Sequence, residues 1–309
     1  MSSTTTTPNH AATPGTATAN GPRIEQTSRR RLLRRSNLLS WLAAGFLVIV
    51  VLSAIFGPLI APYDPAAQDL LQRLRPPAGI GKGTTEHLLG TDQLGRDVLS
   101  RLILGSRISV LVGVLAAILS GLIGSTIGIV AGFSGGWIDR VLMRLTDIQL
   151  AFPSLLLALA VVGFLGASVV NVIIVLGITS WVAYARVLRA EVLSLRERDF
   201  VVAARAIGVP PLTIMRRHLL PNVVGPLATI ATLQVGSAIL AESALSFLGL
   251  GVPPTTVTWG AMLSDGQLYL GTAWWLGVLP GLALLLTVLS INVAGDALRD
   301  LADPKVYRR

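Results

Sequence analysis

The chain has 309 residues, of which 52% are hydrophobic and only 13% charged, and its mean hydropathy is +0.68. Soluble domains carry about 25% charged residues, so the composition excludes an ordinary soluble enzyme and indicates a membrane protein. The absence of cysteine and the wide spacing of the three histidines predict no disulfide and no bound metal, and the net charge of +9 fits basic residues beside membrane spans better than nucleic-acid binding.

The first 37 residues form a tail that we predict to be disordered. Residues 1–22 are mostly Ser, Thr, Ala and Pro, which cannot bury a core, and a run of arginines follows. The segment 28–33 resembles a twin-arginine export signal. The apolar run behind it exceeds the 7–15 residues of a signal peptide, so we predict a retained first transmembrane helix over residues 38–63.

Residues 64–107 form a hydrophilic segment between the first two spans. Asp92 is predicted to cap a short helix that begins near Gln93. This helix carries Arg96, Asp97 and Arg101 on its polar side. We expect it to lie along the membrane interface and to lead into the second span.

Uncharged runs predict five further spans. The runs 108–138, 219–241 and 266–295 are each long enough for a transmembrane helix of about 20 residues. The 38 uncharged residues between Asp147 and Arg186 would make about 57 Å of helix, which is enough for two crossings. We predict the break between these two spans near residues 163–168.

The stretch 243–264 is also uncharged, but it does not predict a seventh span. It contains glycines, paired prolines and threonines, and lipid does not tolerate such irregular backbone. The predicted fold is therefore all-α with six transmembrane helices, and residues 108–309 form its core domain. Arginines concentrate before the first span, between the fourth and fifth, and after the sixth. Both termini are therefore predicted to be cytoplasmic, and residues 64–107 to be extracytoplasmic.

Few polar residues lie inside the predicted spans. Glu242 is the one clear intramembrane acid, and it is either a hydrogen-bonded structural residue or part of a polar path. Asn171 and Gln234 allow the same two interpretations, hydrogen bonding between helices or lining of a path. Arg140 and Arg144 precede the third span on the inner side, where they either anchor a helix end or contact a partner.

The basic segment 186–221 separates the fourth and fifth spans. Asp199 begins a short helix of small residues, Gly208 ends it, a second short helix covers 212–219, and Pro221 opens the fifth span. Such a helix–glycine–helix unit either inserts into a groove of a partner protein or rests on lipid headgroups.

The same segment resembles the EAA loop of binding-protein-dependent ABC importer permeases, whose pattern is E-A-A-x3-G-x9-I-x-L-P. Val202 replaces the glutamate of that pattern, and His218 replaces its isoleucine. The positions that match are Ala203, Ala204, Gly208, Leu220 and Pro221.

Further motifs follow in a fixed order. They read APYDP from residue 61, HLLGTDQLGRDVLSR from 87, ESALSFLGLG from 242 and GDALRD from 295. With the EAA-like loop they make residues 38–309 resemble the DppC/OppC-type permeases of dipeptide, oligopeptide and nickel importers. The resemblance implies a type I ABC importer permease fold with a cytoplasmic coupling helix, in a bacterial plasma membrane.

The resemblance also implies partners. These are a second permease subunit, two ATP-binding subunits (or one fused chain), an extracytoplasmic substrate-binding protein and membrane lipid. ATP and Mg²⁺ would bind the ATPase subunits, because this chain has no phosphate-binding G-x-x-x-x-G-K-[ST] motif. The chain itself would be non-catalytic. Peptide, nickel, glutathione and haem all remain possible substrates, since the binding protein largely selects them.

Three sets of candidate site residues follow. The first would couple the chain to the ATPase, the second would line the path or form its outer gate, and the third would contact the binding protein or clamp the outer segment. In that order, they are Asp199, Ala203, Ala204, Arg205, Gly208, Arg216, Arg217, Leu220 and Pro221; Glu242, Asn171 and Gln234; and Asp92, Arg96 and Asp97. A self-sufficient secondary carrier and a membrane-embedded enzyme are the alternatives, and the lack of repeated intramembrane acids or an acid–base cluster argues against both.

Overall fold

A computed structural model describes the backbone of residues 24–302 and the side chains of residues 40–297. The chain divides into two units, residues 1–38 and residues 39–309, and the account below concerns the second. The predicted disorder of residues 1–23 lies outside the described residues. Residues 24–37 are helical, contrary to the prediction, because their Arg- and Leu-rich sequence extends a helix that is already nucleated.

The described part of the chain is entirely helical apart from loops, turns and one isolated bridge, which confirms the all-α prediction. Five helices are long and apolar enough to cross a membrane, or six if the bent pair α3–α4 counts as one span. In chain order the helices are α1 Ile24–Ile60, α2 Val98–Ser134, α3 Gly136–Leu150, α4 Ser154–Leu165, α5 Val169–Leu195, α6 Asp199–Ala206, α7 Pro211–Ile214, α8 Leu220–Phe247, α9 Trp259–Gln267 and α10 Trp275–Ala302.

The third predicted span differs from expectation, because α3 and α4 meet at an angle of 81°. The helix α4 has 12 residues, which is about 18 Å and shorter than the hydrocarbon core of about 30 Å. Pro153 stands between the two helices and has no N–H to continue the hydrogen bonding of α3. The predicted break before the fourth span is confirmed at Gly166, whose φ is +88°.

The helices α2 and α5 form the closest pair in the bundle. A Cβ at Gly124 would lie 2.2 Å from the carbonyl oxygen of Trp181, and one at Gly128 would lie 2.6 Å from that of Ala185. The hydroxyl of Tyr184 donates a hydrogen bond of 3.0 Å to the carbonyl of Ala117. Close backbone approach of this kind drives helix association in lipid, where apolar surface alone gives no preference.

Residues 61–97, which we call the outer segment after its predicted location, form a network of turns with one 3₁₀ turn at Leu70–Gln72. The predicted helix start near Gln93 is wrong. Asp92 instead closes a turn by accepting the N–H groups of Leu94 and Arg96, and Gly95 follows at φ +74°. The helix α2 begins at Val98, and it continues without a break into the second span.

The stretch after α8 is a loop that leads to the nine-residue helix α9, as the rejection of a seventh span predicted. Thr258 caps α9 by accepting the N–H of Ala261. The last span, α10, begins at Trp275, nine residues later than the uncharged run suggested. Trp275 donates its indole N–H to the carbonyl of Thr91 at 3.2 Å, which joins the outer segment to the start of α10.

Candidate coupling site and polar clusters

The short helix α6 lies in the loop between α5 and α8. Asp199 is its first residue, where a negative charge favours the helix dipole, and Arg205 is in its last turn. The backbone reverses at Gly208, whose φ of +78° suits glycine. The N–H of Val209 then bonds the carbonyl of Ala204 at 3.0 Å, which closes the end of the helix.

The two faces of α6 differ sharply. Val201 and Ala204 are buried in a cluster with Leu188 and Val192 of α5 and with residues of the segment 214–223. The other face is exposed, and the exposed fraction of Ile207 reaches 80%. The predicted coupling residues are therefore divided. Those on the open side of α6 are Asp199, Ala203, Arg205 and Gly208, with Phe200 and Val202 beside them, whereas Ala204 belongs to the interior.

A cation–π contact fixes α6 to the end of α2. The guanidinium of Arg205 lies 4.5 Å from the centroid of the Phe133 ring. Arg196, just before α6, donates to the carbonyl of Gly132 at 3.1 Å. No local pattern predicts these contacts, because each arginine lies more than 60 residues from its partner on α2.

The second half of the loop departs from the prediction of a separate short helix. The helix α7 runs through a π turn, Met215–Leu219, directly into α8. The N–H of Leu220 bonds the carbonyl of Met215, five residues back. Pro221 explains this widening, because its ring has no N–H and crowds the carbonyl four residues earlier. The remaining predicted coupling residues, Arg216, Arg217, Leu220 and Pro221, are all exposed on this segment.

Two ion pairs tie α3 to α5. Asp139 accepts two hydrogen bonds from Arg189, at 2.5 and 2.6 Å, and Asp147 accepts one from Arg186 at 2.8 Å. The first pair is bidentate, the geometry in which arginine binds a carboxylate most firmly. Arg140 and Arg144 are exposed and take part in neither ion pair, and Arg140 donates a hydrogen bond of 3.3 Å to the carbonyl of Gly136.

Glu242 occupies a closed polar site and has no exposed surface. It accepts hydrogen bonds from Ser246 at 2.7 Å, Ser109 at 3.1 Å and Ser243 at 3.3 Å. The hydroxyl of Ser109 also accepts the N–H of Trp259 at the start of α9. The interpretation of Glu242 as a path-lining residue is therefore wrong for this conformation, because a fully enclosed side chain lines no path. It joins α2, α8 and α9.

Asn171 and Gln234 also make structural hydrogen bonds. Asn171 donates to the carbonyls of Leu165 and Gly166, at 3.1 and 3.0 Å, and so satisfies the end of α4. Gln234 of α8 donates to the carbonyl of Ser180 in α5 at 3.2 Å. These contacts support the hydrogen-bonding interpretation over a role in the path.

The outer ends of α2 and α9 meet through four charged side chains. Arg96 bonds Asp92 at 2.6 Å and Asp265 at 3.3 Å, and Arg101 approaches the same two acids at 3.4 and 3.2 Å. Asp92 is only 4% exposed. The prediction placed Arg101 on the polar side of a helix without naming a partner for it. It missed Asp265, although an acid at the edge of an uncharged stretch needs a cationic partner.

Asp97 is equally enclosed, with 3% of its surface exposed. One carboxylate oxygen contacts His87 at 2.9 Å, and the other accepts the backbone N–H and the hydroxyl of Ser100. Tyr63 packs on the His87 ring with 4.9 Å between centroids. The burial of Asp92 and Asp97 contradicts their assignment to a binding-protein contact and favours a structural clamp. Arg96 is part of the same clamp.

A groove of about 600 Å³ runs along α2 and α8 near the π turn. Its walls are mainly apolar, and Leu122 on α2 is 64% exposed. The polar residues that line it are Ser125, Thr126, Tyr184 and Arg216, but Tyr184 is fully buried and the Ser125 hydroxyl has no exposed surface. Among the described residues, no group of three His, Cys, Asp or Glu side chains could hold a metal ion.

Comparisons with known proteins agree with this architecture. Residues 124–308 match the family model "Binding-protein-dependent transport system inner membrane component", and residues 26–77 match "N-terminal TM domain of oligopeptide transport permease C". The inward-facing MetNI methionine ABC transporter has a chain with the same fold. The two chains superpose with a TM-score of 0.55 at 18% sequence identity, over 66% of this chain and 96% of the MetNI chain.

Curated relatives are similar over most of their length. The chain is 48% identical to the di/tripeptide transport permease DppC of Pseudomonas aeruginosa, over 84% of this chain and 86% of that protein. It is 49% identical to the dipeptide transport permease DppC of Escherichia coli K12, over 84% and 87%. The glutathione transport permease GsiD of Escherichia coli O6:K15:H31 is 41% identical, over 89% of both chains. The chain belongs to the binding-protein-dependent transport permease family, and it is a DppC/OppC-type, non-catalytic membrane subunit of an ABC importer.

Proposed function

We propose that this subunit carries di- or oligopeptides from an extracytoplasmic binding protein into the cytoplasm. The DppC relatives transport dipeptides and tripeptides, and the GsiD relative transports glutathione, which is itself a peptide. A second permease would complete the path. ATP and Mg²⁺ would bind two ATPase subunits or one fused chain.

The observation that carries this proposal is the exposed face of α6. Phe200, Val202 and Ile207 are large apolar side chains that are 40%, 51% and 80% exposed. Exposed apolar clusters with a charged rim mark protein contacts. Here Asp199, Arg205 and the arginines of the π turn form the rim. Because Val202 replaces the glutamate of the family pattern, we infer that this contact relies on apolar burial at that position.

The structure suggests how α6 would transmit the closure of the ATPase pair. Its inner face is packed against α5, and its outer face is available to the partner. The contact between Arg205 and Phe133 links it to α2, and α7 continues into α8. A displacement of α6 would therefore move three membrane helices together. The path would then face the two sides of the membrane in turn, with both termini of this chain cytoplasmic as the arginine distribution indicates.

We assign the groove along α2 and α8 as this chain's part of the path. Peptides differ in their side chains and share a backbone, so a largely apolar wall with few hydroxyls would bind them without strong selection. Selection would then rest with the binding protein. Glu242, Asn171 and Gln234 would act behind the wall, where they hold the helices in place.

The test uses the complex purified from its native membrane through a tag on this chain. Ile207→Glu should lose the ATPase subunits, whereas Leu268→Glu, at an equally exposed site after α9, should keep them. In proteoliposomes, the unmodified complex should take up labelled dipeptide only with ATP inside. Uptake that an uncoupler stops and ATP depletion does not would replace this proposal with a secondary carrier.

A further inference from the structure

The helix α3 presents an apolar stripe that the bundle does not cover. Trp137 is 70% exposed, and Val141, Leu145 and Ile148 are between 38% and 53% exposed. At about 100° of rotation per residue, these positions share one face roughly 80° wide. Thr146, on the opposite face, is fully buried. The stripe therefore faces away from α2 and α5.

The ion pairs show that α3 lies across the bundle. Asp139 and Asp147 are eight residues apart, about 12 Å along α3, but their partners Arg189 and Arg186 are only about 4.5 Å apart along α5. The helix α4 packs alongside α5, with Ala158 in the same buried cluster as α5 residues, and α3 leaves it at 81°. Both observations place α3 nearly in the membrane plane.

The depth of α3 in the membrane follows from its two ion-pair partners on α5, Arg186 and Arg189. From Val169, the first residue of α5, to Arg189 there are 20 residues, or about 30 Å of helix. That is the thickness of the hydrocarbon core. With Val169 at one membrane–water interface, Arg186 and Arg189 therefore lie at the opposite interface, at the end of the bundle that carries α6.

A positive edge borders the stripe. Arg140 and Arg144 are one turn apart, are both exposed, and lie beside the apolar face. Apolar side chains with a tryptophan, next to arginines, are the pattern of helices that lie in the headgroup region. We propose that α3 is an interfacial helix, with its apolar stripe in the leaflet nearest α6 and with Arg140 and Arg144 bound to the phosphates of anionic phospholipids. This inference does not depend on the transported substrate.

The test measures depth with nitroxide labels, which the cysteine-free sequence allows without background. The label is placed at Leu145→Cys, at Ile49→Cys in the middle of the span Ser40–Ile60 as an embedded reference, and at Leu71→Cys, which is 91% exposed in the outer segment, as an aqueous reference. The full chain, alone and with its partner subunits, is reconstituted in phosphatidylcholine with or without phosphatidylglycerol. At each position, the relaxation of the nitroxide by oxygen is compared with its relaxation by a water-soluble nickel complex.

We expect oxygen to dominate at residue 145, as at 49, and we expect the label to move deeper when phosphatidylglycerol is added. Nickel accessibility equal to that at residue 71 would overturn the proposal. Protection from both reagents once the partner subunits are present would also overturn it, because the stripe would then be a protein interface.

A second pair of variants tests the arginines. Arg140→Gln with Arg144→Gln should abolish the effect of phosphatidylglycerol on the depth at residue 145. The control, Lys82→Gln with Arg107→Gln, removes two exposed charges elsewhere and should preserve it. If the first pair leaves the effect intact, the two arginines do not bind the anionic headgroups.

Discussion

The contact between α2 and α5 and the contact between α2 and α9 hold the same helix in different ways. Along α5, glycines let the two backbones touch, and the interface is largely apolar. At α9, buried charges and hydroxyls meet, and Glu242, Asp92 and Arg101 are enclosed. Inside lipid, close packing holds helices together, whereas the end of the bundle that carries α9 also needs polar contacts to fix the orientation of its loops. The two contacts should therefore fail differently when they are mutated.

The largest effect is expected at the polar contact. Arg101→Ala leaves Asp92 and Asp265 with one guanidinium instead of two, and Asp92 stays buried. Removing one partner of a buried ion pair costs about 3–5 kcal/mol. We expect a large drop in the thermal midpoint of the detergent-purified chain. Arg107→Ala, at an exposed position one and a half turns along α2, should leave the midpoint nearly unchanged. Equal midpoints for the two variants would show that the charge cluster does not stabilise the fold.

A single added methyl group at the glycine contact between α2 and α5 should lower the thermal midpoint. A Cβ at Gly124 would come within 2.2 Å of a backbone oxygen that cannot move aside, and overpacking of this kind costs about 1–3 kcal/mol. Gly124→Ala should lower the midpoint. Gly163→Ala in α4 is the matched control, because nothing lies within 4 Å of its added Cβ. Alanine favours a helix over glycine, so this control should be neutral or stabilising, and a loss equal to that of Gly124→Ala would contradict the close-contact argument.

The smallest effect is expected at the hydrogen bond between α8 and α5. Gln234→Ala removes the donor to the carbonyl of Ser180. Hydrogen bonds between membrane helices contribute about 0.6 kcal/mol on average, so the midpoint should change slightly. Peptide uptake by the assembled complex should persist. A complete loss of uptake with an unchanged midpoint would return Gln234 to the path.

The sequence predicted well the features that depend on neighbouring residues. Apolar runs located the spans, Gly208 ended α6, and glycines and prolines marked the loop before α9. The sequence-based prediction failed where contacts between residues distant in the sequence determine the structure. Asp97 rather than Asp92 caps α2, because Asp92 is held by Arg96 and Arg101. Pro153 ends the hydrogen bonding of α3, but the direction of α3 beyond this break depends on ion pairs with α5, about 40 to 50 residues away.

The site predictions divide in the same way. The segment 199–221 was recognisable as a unit, since its spacing is local. Which side of α6 faces outward required the packing of Val201 and Ala204 against α5. Glu242 was identified as unusual, because an acid in an apolar run is rare. Its serine partners on α2 and α8, and the link to α9, follow only from the packing of three helices.

The unbroken run from Pro211 to Phe247 has a geometric consequence. These 37 residues make a rod of about 55 Å, with the π turn at one end and the enclosed Glu242 near the other. Gln234 and Gly236 hold it between these points, against α5 and α10. A stiff helix held at an intermediate point acts as a lever about that point, so an outward movement of one end moves the other end inward. Opening on one side of the membrane and closing on the opposite side would then be a single motion of one element.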